Sequence, residues 1–203
     1  MSLDALLARP GLPASFRLLV LAAVAIWRGD WPRLQACAES ARGRGDARAD
    51  FEETLLQAVL FCGFPRVVTA FETLSAAWPV ATAPAGGALP QAEQAAAGQA
   101  LFAGIYGQNT AAVDAMLRGF HADFHAFVFE VAYGRILTRP RLSARERELL
   151  AVGLLAAQDQ VRQFAGHARG ALHFGANRTE LREVVVSALG ETTAVDTWCA
   201  RIR

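Results

Sequence analysis

The chain has 203 residues, 53% of them hydrophobic and 19% charged, so it is long and apolar enough to bury a sizeable core. Its net charge of +1 provides no field that would attract nucleic acid or an anionic membrane, and neither partner is expected. Three widely spaced cysteines form neither a disulfide framework nor a zinc ligand set, so we expect buried free thiols at Cys37, Cys62 and Cys199. No cofactor is expected.

The first third of the chain predicts helices. Its start, MSLDALLARPG, lacks a basic segment ahead of an apolar run, so we expect a cytoplasmic protein without a signal peptide. The apolar run 18–27 predicts a buried helix, because a membrane span needs about 20 residues. After a turn at 29–30, a second helix is predicted to about Arg42, and a third over 50–62 after Gly45.

The segment 78–98, WPVATAPAGGALPQAEQAAAG, is rich in Pro, Ala and Gly and predicts a connector. It divides the chain into two expected domains, 1–77 and 99–203. Further on, His121 and His125 have the spacing of two metal ligands on one helix face. Only two of the usual three or four ligands are visible, so no metal site is expected.

The last third carries two helix start signals. Ser143 with Glu146 forms a predicted capping box ahead of a run, Leu149 to Ala157, that is apolar on every side and therefore typical of a fully buried helix. A second helix is predicted over 161–174. Another capping box, Asn177 with Glu180, predicts a third helix through Leu189. Alternating strand patterns are absent, so the sequence predicts an all-α fold.

The first and last thirds are related to each other. Residues 7–58 align with 137–188 at a constant offset of 130, with 13 of 52 positions identical. A constant offset over so long a window indicates an internal duplication. We expect the two copies to pack about a pseudo-twofold axis, as the subunits of a symmetric dimer do.

The differences between the copies indicate a site. In the second copy Glu148 stands one position before the apolar run, and Gln160, Gln163 and His167 follow at a helical spacing that places them in one polar stripe. The first copy has no Glu or His at the aligned positions, so a site that uses these groups should occur once per chain. The aligned residues are Leu18, Asp30, Arg33 and Cys37.

Two stretches of the second copy, YGRILTRPRLSARERELLAVGLLAA and HARGALHFGANRTELREVV, resemble the carboxymuconolactone decarboxylase family. The resemblance implies two tandem helical repeats of the alkylhydroperoxidase D type, which form homo-oligomers such as dimers, trimers or hexamers. The alkylhydroperoxidase D branch uses a Glu, a Cys-x-x-Cys pair and a His, and these positions fall on Glu148, Gln160, Gln163 and His167. Because an amide cannot exchange disulfides, peroxidase or disulfide-reductase activity is not expected.

The decarboxylase branch does not need the cysteine pair. The resemblance therefore implies a lyase that acts on a small lactone or related carboxylic acid by general acid–base proton transfer and without a metal. In this hypothesis Glu148 and His167 share the proton, Gln160 and Gln163 donate hydrogen bonds, and Arg169 binds an anionic substrate. The alternative is a catalytically silent helical assembly protein with a decayed site.

Ordinary structural roles remain open for each of these residues. Glu148 could cap its helix or pair with Arg145 or Arg147, and His167 could be a hydrogen-bonded core residue. The two glutamines could be solvated, and Arg169 could lie on the surface or at a subunit contact. A pocket at these residues would favour chemistry, whereas a filled interior would favour assembly.

Overall fold

The computed structural model describes residues 1–82 and 86–202, and over these ranges the chain is all-α and contains no strand. A short 3₁₀ turn, Gly107–Asn109, and a π-helical segment, Val128–Leu137, accompany the α-helices. The helices are α1 (Leu3–Leu7), α2 (Ala14–Arg28), α3 (Trp31–Arg44), α4 (Arg48–Ala77), α5 (Gln91–Tyr106), α6 (Thr110–Phe120), α7 (Ala122–Phe127), α8 (Ala144–Ala157), α9 (Val161–His173), α10 (Arg178–Leu189) and α11 (Thr193–Cys199). The predicted fold class is confirmed.

Local signals set the helix boundaries of the second copy. Both predicted capping boxes form, one at Ser143 ahead of α8 and one at Asn177 ahead of α10. The α8–α9 turn passes through Asp159, which has a left-handed φ of 57°, and its counterpart in the first copy is Gly29 with φ 68°. The turns of the two copies are thus built alike.

The helix α4 consists of two helices joined at Gly63, whose backbone (φ 74°, ψ 167°) is not helical. The predicted end of the third helix near Cys62 is therefore correct. By length and composition alone, α4 is the one helix in the described ranges that could cross a membrane. The break leaves two pieces that are each shorter than the roughly 20 residues of a span.

The connector is shorter than the sequence predicts. Helix α5 begins at Gln91, so residues 91–98 are helical, and the expected connector over 78–98 is wrong at its C-terminal end. Gln, Ala and Glu are strong helix formers, and Pro90 stands directly ahead of the first turn, where proline is tolerated. Helix propensity therefore describes this Ala-rich segment better than its overall composition does. Residues 83–85 lie outside the described ranges.

The centre of the molecule is made by α2 and α8. Every residue of α2 from 16 to 26 and of α8 from 147 to 156 is buried. The two helices approach closely at Gly153, where an added Cβ would lie 3.0 Å from Val20. Because the side chains of both copies belong to one continuous core, the two copies fold against each other. The expected division of the chain into domains 1–77 and 99–203 stays a prediction, based on the two repeats in the sequence.

Two buried ion pairs relate the copies by symmetry. Arg147 of the second copy contacts Glu53 of the first at 2.8 Å, and Arg17 of the first contacts Glu183 of the second at 2.9 Å. Arg147 and Arg17 are equivalent positions under the 130-residue offset, and so are Glu53 and Glu183, so the second pair is the first with the two copies interchanged. Reciprocal contacts of this kind are the signature of a twofold interface. The predicted pseudo-twofold arrangement is confirmed.

Additional partners compensate the burial of these charges. Arg147 is 1% exposed, and it also donates to the side-chain oxygen of Gln57 and to the carbonyl of Arg139. Arg139 itself binds Glu53 at 2.6 Å. Burial by itself raises the pKa of Glu53, but hydrogen bonds from the two arginines outweigh it and hold that pKa below its ordinary value. The pair is therefore a satisfied buried network.

We expect Arg147→Met to destabilise the protein by about 3 kcal/mol, because it leaves a buried carboxylate with one cation fewer. Arg141→Met is the matched control, since Arg141 makes a half-exposed ion pair with Asp50 and its loss should cost less than about 1 kcal/mol. Urea denaturation followed by circular dichroism measures both. Equal losses in the two variants would contradict the proposed role of the buried network.

Candidate active site

The predicted acid and base are brought together between α8 and α9. Glu148 follows Arg147 directly, and since successive helical residues are about 100° apart, one faces the other copy while the next faces α9. The carboxylate Oε2 of Glu148 lies 2.9 Å from Nδ1 of His167. The arginines considered as partners of Glu148 bind elsewhere, because Arg147 binds Glu53 and Arg145 binds Glu180.

The carboxylate of Glu148 lies against the backbone of α9. A Cβ added at Gly170 would lie 2.5 Å from Glu148 Oε2 and 3.1 Å from the side chain of Ile105 in α5. Glu148 is only 1% exposed. A glycine is therefore required at 170 for the carboxylate to reach the imidazole.

The pair is arranged to keep His167 charged. Burial alone lowers the pKa of His167, but the negative charge of Glu148 and the hydrogen bond to it outweigh burial and raise that pKa above its ordinary value. The side chain of His167 is 12% exposed, and its Nε2 makes no hydrogen bond within residues 1–82 and 86–202. With Nδ1 held by the carboxylate, Nε2 is the nitrogen that can exchange a proton with a ligand.

A pocket of about 500 Å³ lies between α9 and the segment from α5 to α6. Its lining includes Gly166, the neighbour of His167 in the chain, but neither His167 nor Glu148. Two arginines, two amides and several apolar side chains line it. The lining residues are Tyr106, Asn109, Ala112, Val113, Met116, Arg162, Gln163, Gly166 and Arg169. A pocket with cationic and amide donors on an apolar wall suits a small anion.

The predicted binding residues are only partly brought together. Gln163 and Arg169 line the pocket, whereas Gln160 does not. Gln160 is the N-cap of α9, where the backbone is not yet helical, so the expected stripe with Gln163 and His167 does not extend to it. Its amide instead donates to the carbonyl of Gln158 at 3.3 Å. Its expected role as a donor to the substrate has no support in this geometry.

The pocket also contains residues that the sequence did not indicate. Tyr106, Met116 and Arg162 stand in the lining, and the first two come from α5 and α6. The segment from α5 to α6 has no counterpart in the duplication. An aromatic pair at i and i+4, Phe102 and Tyr106, was the visible signal of a buried face there.

The first copy has no equivalent site. Leu18 and Cys37, which align with Glu148 and His167, are both fully buried in the core. Burial raises the pKa of the Cys37 thiol to about 12, so the thiol is protonated at neutral pH. The interior that holds an acid–base pair in one copy is filled by packing in the other.

The two other histidines considered as metal ligands have different partners. Nε2 of His125 lies 2.7 Å from Asp114, and Nδ1 of His121 accepts from the backbone N–H of Asp123 at 3.1 Å. Within the part of the chain that the structure describes, no group of three or more His, Cys, Asp and Glu side chains could hold a metal ion.

Comparison with known proteins matches both copies to one family. The sequence model of the carboxymuconolactone decarboxylase family matches residues 2–76 and 122–190. Over 61 residues, 30% of this chain and 43% of the relative, the chain is 36% identical to nitrosuccinic acid decarboxylase npaB of Metarhizium robertsii. Over 70 residues, 34% of this chain and 52% of the relative, it is 29% identical to 4-carboxymuconolactone decarboxylase of Acinetobacter baylyi. The chain thus spans about half the length of these curated relatives.

Gly170→Ala should displace the Glu148 carboxylate and lower the pKa of His167, because the new methyl group would lie only 2.5 Å from Oε2. Gly166→Ala is the matched control on the same helix, since its Cβ would meet Tyr106 at an ordinary 3.6 Å. Histidine ¹⁵N NMR titration measures the pKa in each variant. An unchanged pKa of His167 in Gly170→Ala, or equal changes in both variants, would contradict the requirement for a glycine beside the Glu148 carboxylate.

Glu148→Gln should lower the pKa of His167 below about 6.5, because burial then acts unopposed. In the parent the pKa of His167 is raised, so its stabilising contribution is complete below about pH 6.5 and is lost as the pH rises through the folded-state value. The stability difference between parent and variant should therefore grow from pH 8 to pH 6 in urea titrations. A difference that shrinks over that range would contradict the assignment.

Proposed function

The chain belongs to the carboxymuconolactone decarboxylase family, and from that premise we propose that it is a lyase that removes carbon dioxide from a small carboxylic acid or lactone. Proton transfer by Glu148 and His167 carries the reaction, and no metal is required. The observation that supports this most directly is the 2.9 Å contact between these two side chains beside a pocket with cationic lining.

The names of the relatives suggest the substrate class. One is a nitrosuccinic acid decarboxylase and the other a 4-carboxymuconolactone decarboxylase. A nitro group and a conjugated lactone can each accept the electron pair that remains when carbon dioxide leaves. We therefore propose a substrate with a carboxylate and, within conjugation of the same carbon, a carbonyl or nitro group.

The reaction can be written with its atoms balanced. The bond between the substrate carbon and its carboxylate breaks, carbon dioxide leaves, and the electron pair moves onto the accepting oxygen. The charged imidazole of His167 then delivers a proton from Nε2 to the carbon, and the electron pair forms the new C–H bond. Glu148 stabilises the positive charge on the imidazole before transfer and orients the ring. Solvent returns the proton to His167.

The pocket supplies what such a substrate needs. Arg162 and Arg169 are two cations that can bind carboxylate or lactone oxygens, and the amide of Gln163 adds a neutral donor. Val113 and Met116 supply an apolar wall, which favours loss of a carboxylate by reducing its solvation. The arrangement fits a compound with a few carbons and at least one negative charge.

The alternative function, a silent assembly protein, has less support. It predicts a filled interior, which describes the first copy at Leu18 and Cys37, whereas in the second copy a 500 Å³ pocket reaches Gln163 next to the buried pair. Assembly and catalysis are nevertheless compatible, and we propose that the chain acts as a cytoplasmic homo-oligomer. Exposed phenylalanines support such contacts, among them Phe120, Phe124 and Phe127.

A panel of acids tests the proposed function. We expect the parent to release carbon dioxide from 4-carboxymuconolactone, nitrosuccinate or a β-keto acid, measured by NMR, and to place one deuterium on the product carbon in D₂O. Glu148→Gln and His167→Gln should each lower kcat/KM about a hundredfold or more.

The control is His173→Gln, which alters an exposed histidine at the end of the same helix and should leave the rate unchanged. Circular dichroism verifies that each variant is folded. A parent that decarboxylates no compound of this class, or a Glu148→Gln variant with full activity, would contradict the proposal.

A further inference from the structure

Tyr106 lies between the pocket and the acid–base pair. It lines the pocket at the C-terminal end of α5, and its ring packs so closely on α9 that a Cβ at Gly166 would touch it at 3.6 Å. Its ring centroid is 6.4 Å from that of His167, with the rings nearly edge to face. A ligand in the pocket would therefore meet the Tyr106 side chain, whose ring neighbours that of His167, although His167 itself is not part of the pocket lining.

A second tyrosine holds the hydroxyl of Tyr106 in place. The hydroxyl of Tyr133 donates to the hydroxyl of Tyr106 at 3.1 Å, and Tyr133 is only 5% exposed. Since Tyr106 accepts this bond, its own proton remains to be donated. No acceptor for that proton is present among residues 1–82 and 86–202.

The backbone fixes the position of both tyrosines. Helix α5 and the π-helical segment cross where Gly98 meets Gly134, and a Cβ at Gly98 would lie 2.9 Å from the nitrogen of Gly134. Tyr133 is adjacent to one of these glycines, and Tyr106 follows the other by about two turns. Contact between two backbones allows little sliding, so the separation of the hydroxyls is set by the packing of the helices.

Both hydroxyls stay protonated in this environment. Burial raises the pKa of Tyr106, and the charge of Glu148 acts in the same direction, although the hydrogen bond from Tyr133 opposes them. Burial also raises the pKa of Tyr133 well above its ordinary value, and Tyr106 and Glu148 reinforce that rise. The neutral hydroxyl of Tyr133 thus donates to the neutral hydroxyl of Tyr106, and both lie near the carboxylate of Glu148.

We propose that Tyr106 is a further catalytic residue, which donates a hydrogen bond to the electron-accepting oxygen of the substrate, and that Tyr133 is its positioning residue. The inference rests on the proposed decarboxylation. As the bond to the leaving carboxylate breaks, negative charge develops on the carbonyl or nitro oxygen, and a fixed donor there lowers the barrier. Tyr106 keeps its proton throughout, and the proton added to carbon comes from His167.

The donor belongs to a part of the chain outside the family match. Tyr106 lies in the segment between residues 76 and 122, which the family model does not cover, whereas Tyr133 lies within the match. The same segment supplies Val113 and Met116 to the pocket. The oxygen-binding donor is therefore a feature that this chain adds to the duplicated fold.

Kinetics with a substrate found in the acid panel test the two roles. Tyr106→Phe should lower kcat about a hundredfold with little change in KM, because the bond forms only as charge develops. Tyr133→Phe should lower kcat about tenfold, and the double variant should be no slower than Tyr106→Phe alone, since Tyr133 acts through Tyr106. Additive losses, or an unchanged kcat in Tyr106→Phe, would overturn the proposal.

A binding probe separates this proposal from the proposed function. 4-Nitrophenolate carries a localised negative oxygen, and its absorbance changes when that oxygen accepts a hydrogen bond. We expect the parent to bind it at pH 8.5 at least tenfold more tightly than Tyr106→Phe does, with Tyr133→Phe in between. If the affinities follow this order but no acid is decarboxylated, the proposed reaction is wrong and the assignment of Tyr106 as a hydrogen-bond donor is supported. No binding by the parent, or equal binding by Tyr106→Phe, would overturn the donor.

Discussion

The contact between Arg147 and Glu53 fixes the rotation of α8, and the site depends on that rotation. Arg147 is buried and reaches across the boundary between the two copies, so its helix cannot turn about its axis without removing one of the two cations that bind a buried carboxylate. The next residue, Glu148, is then directed about 100° away, toward α9 and His167. An ion pair that holds the duplicated fold together also orients the acidic member of the candidate catalytic pair.

Duplication preserved this framework and let the interior diverge. Arg17 and Glu183 reproduce the ion pair with the copies exchanged, yet Leu18 follows Arg17 where Glu148 follows Arg147. A leucine at that position is buried in the apolar core, whereas a carboxylate needs the imidazole and the glycine of α9. The two copies therefore share the same ion pairs and differ in the side chains that could take part in chemistry. The segment from α5 to α6 forms a pocket against the second copy alone.

Local and repeated signals made much of the fold predictable. Ser143 and Asn177 mark helix starts through short-range capping, and the constant 130-residue offset predicts the symmetry that the ion pairs display. Family resemblance indicated Glu148 and His167. The wall of the pocket was not predictable, because Tyr106 contacts His167 of α9, 61 residues away in sequence, and has no counterpart in the first copy. Residues 91–98 were misjudged because an Ala-rich segment suits both a connector and a helix.

The ion pair between Arg147 and Glu53 should influence the protonation of His167, and one comparison tests that link directly. Histidine ¹⁵N NMR can measure the pKa of His167 in Arg147→Met and in Arg17→Met, two variants that remove equivalent buried cations from opposite copies. If Arg147 orients Glu148, the pKa of His167 falls in the first variant and keeps its parent value in the second. Equal values in the two variants would show that the ion pair across the copies does not position the site.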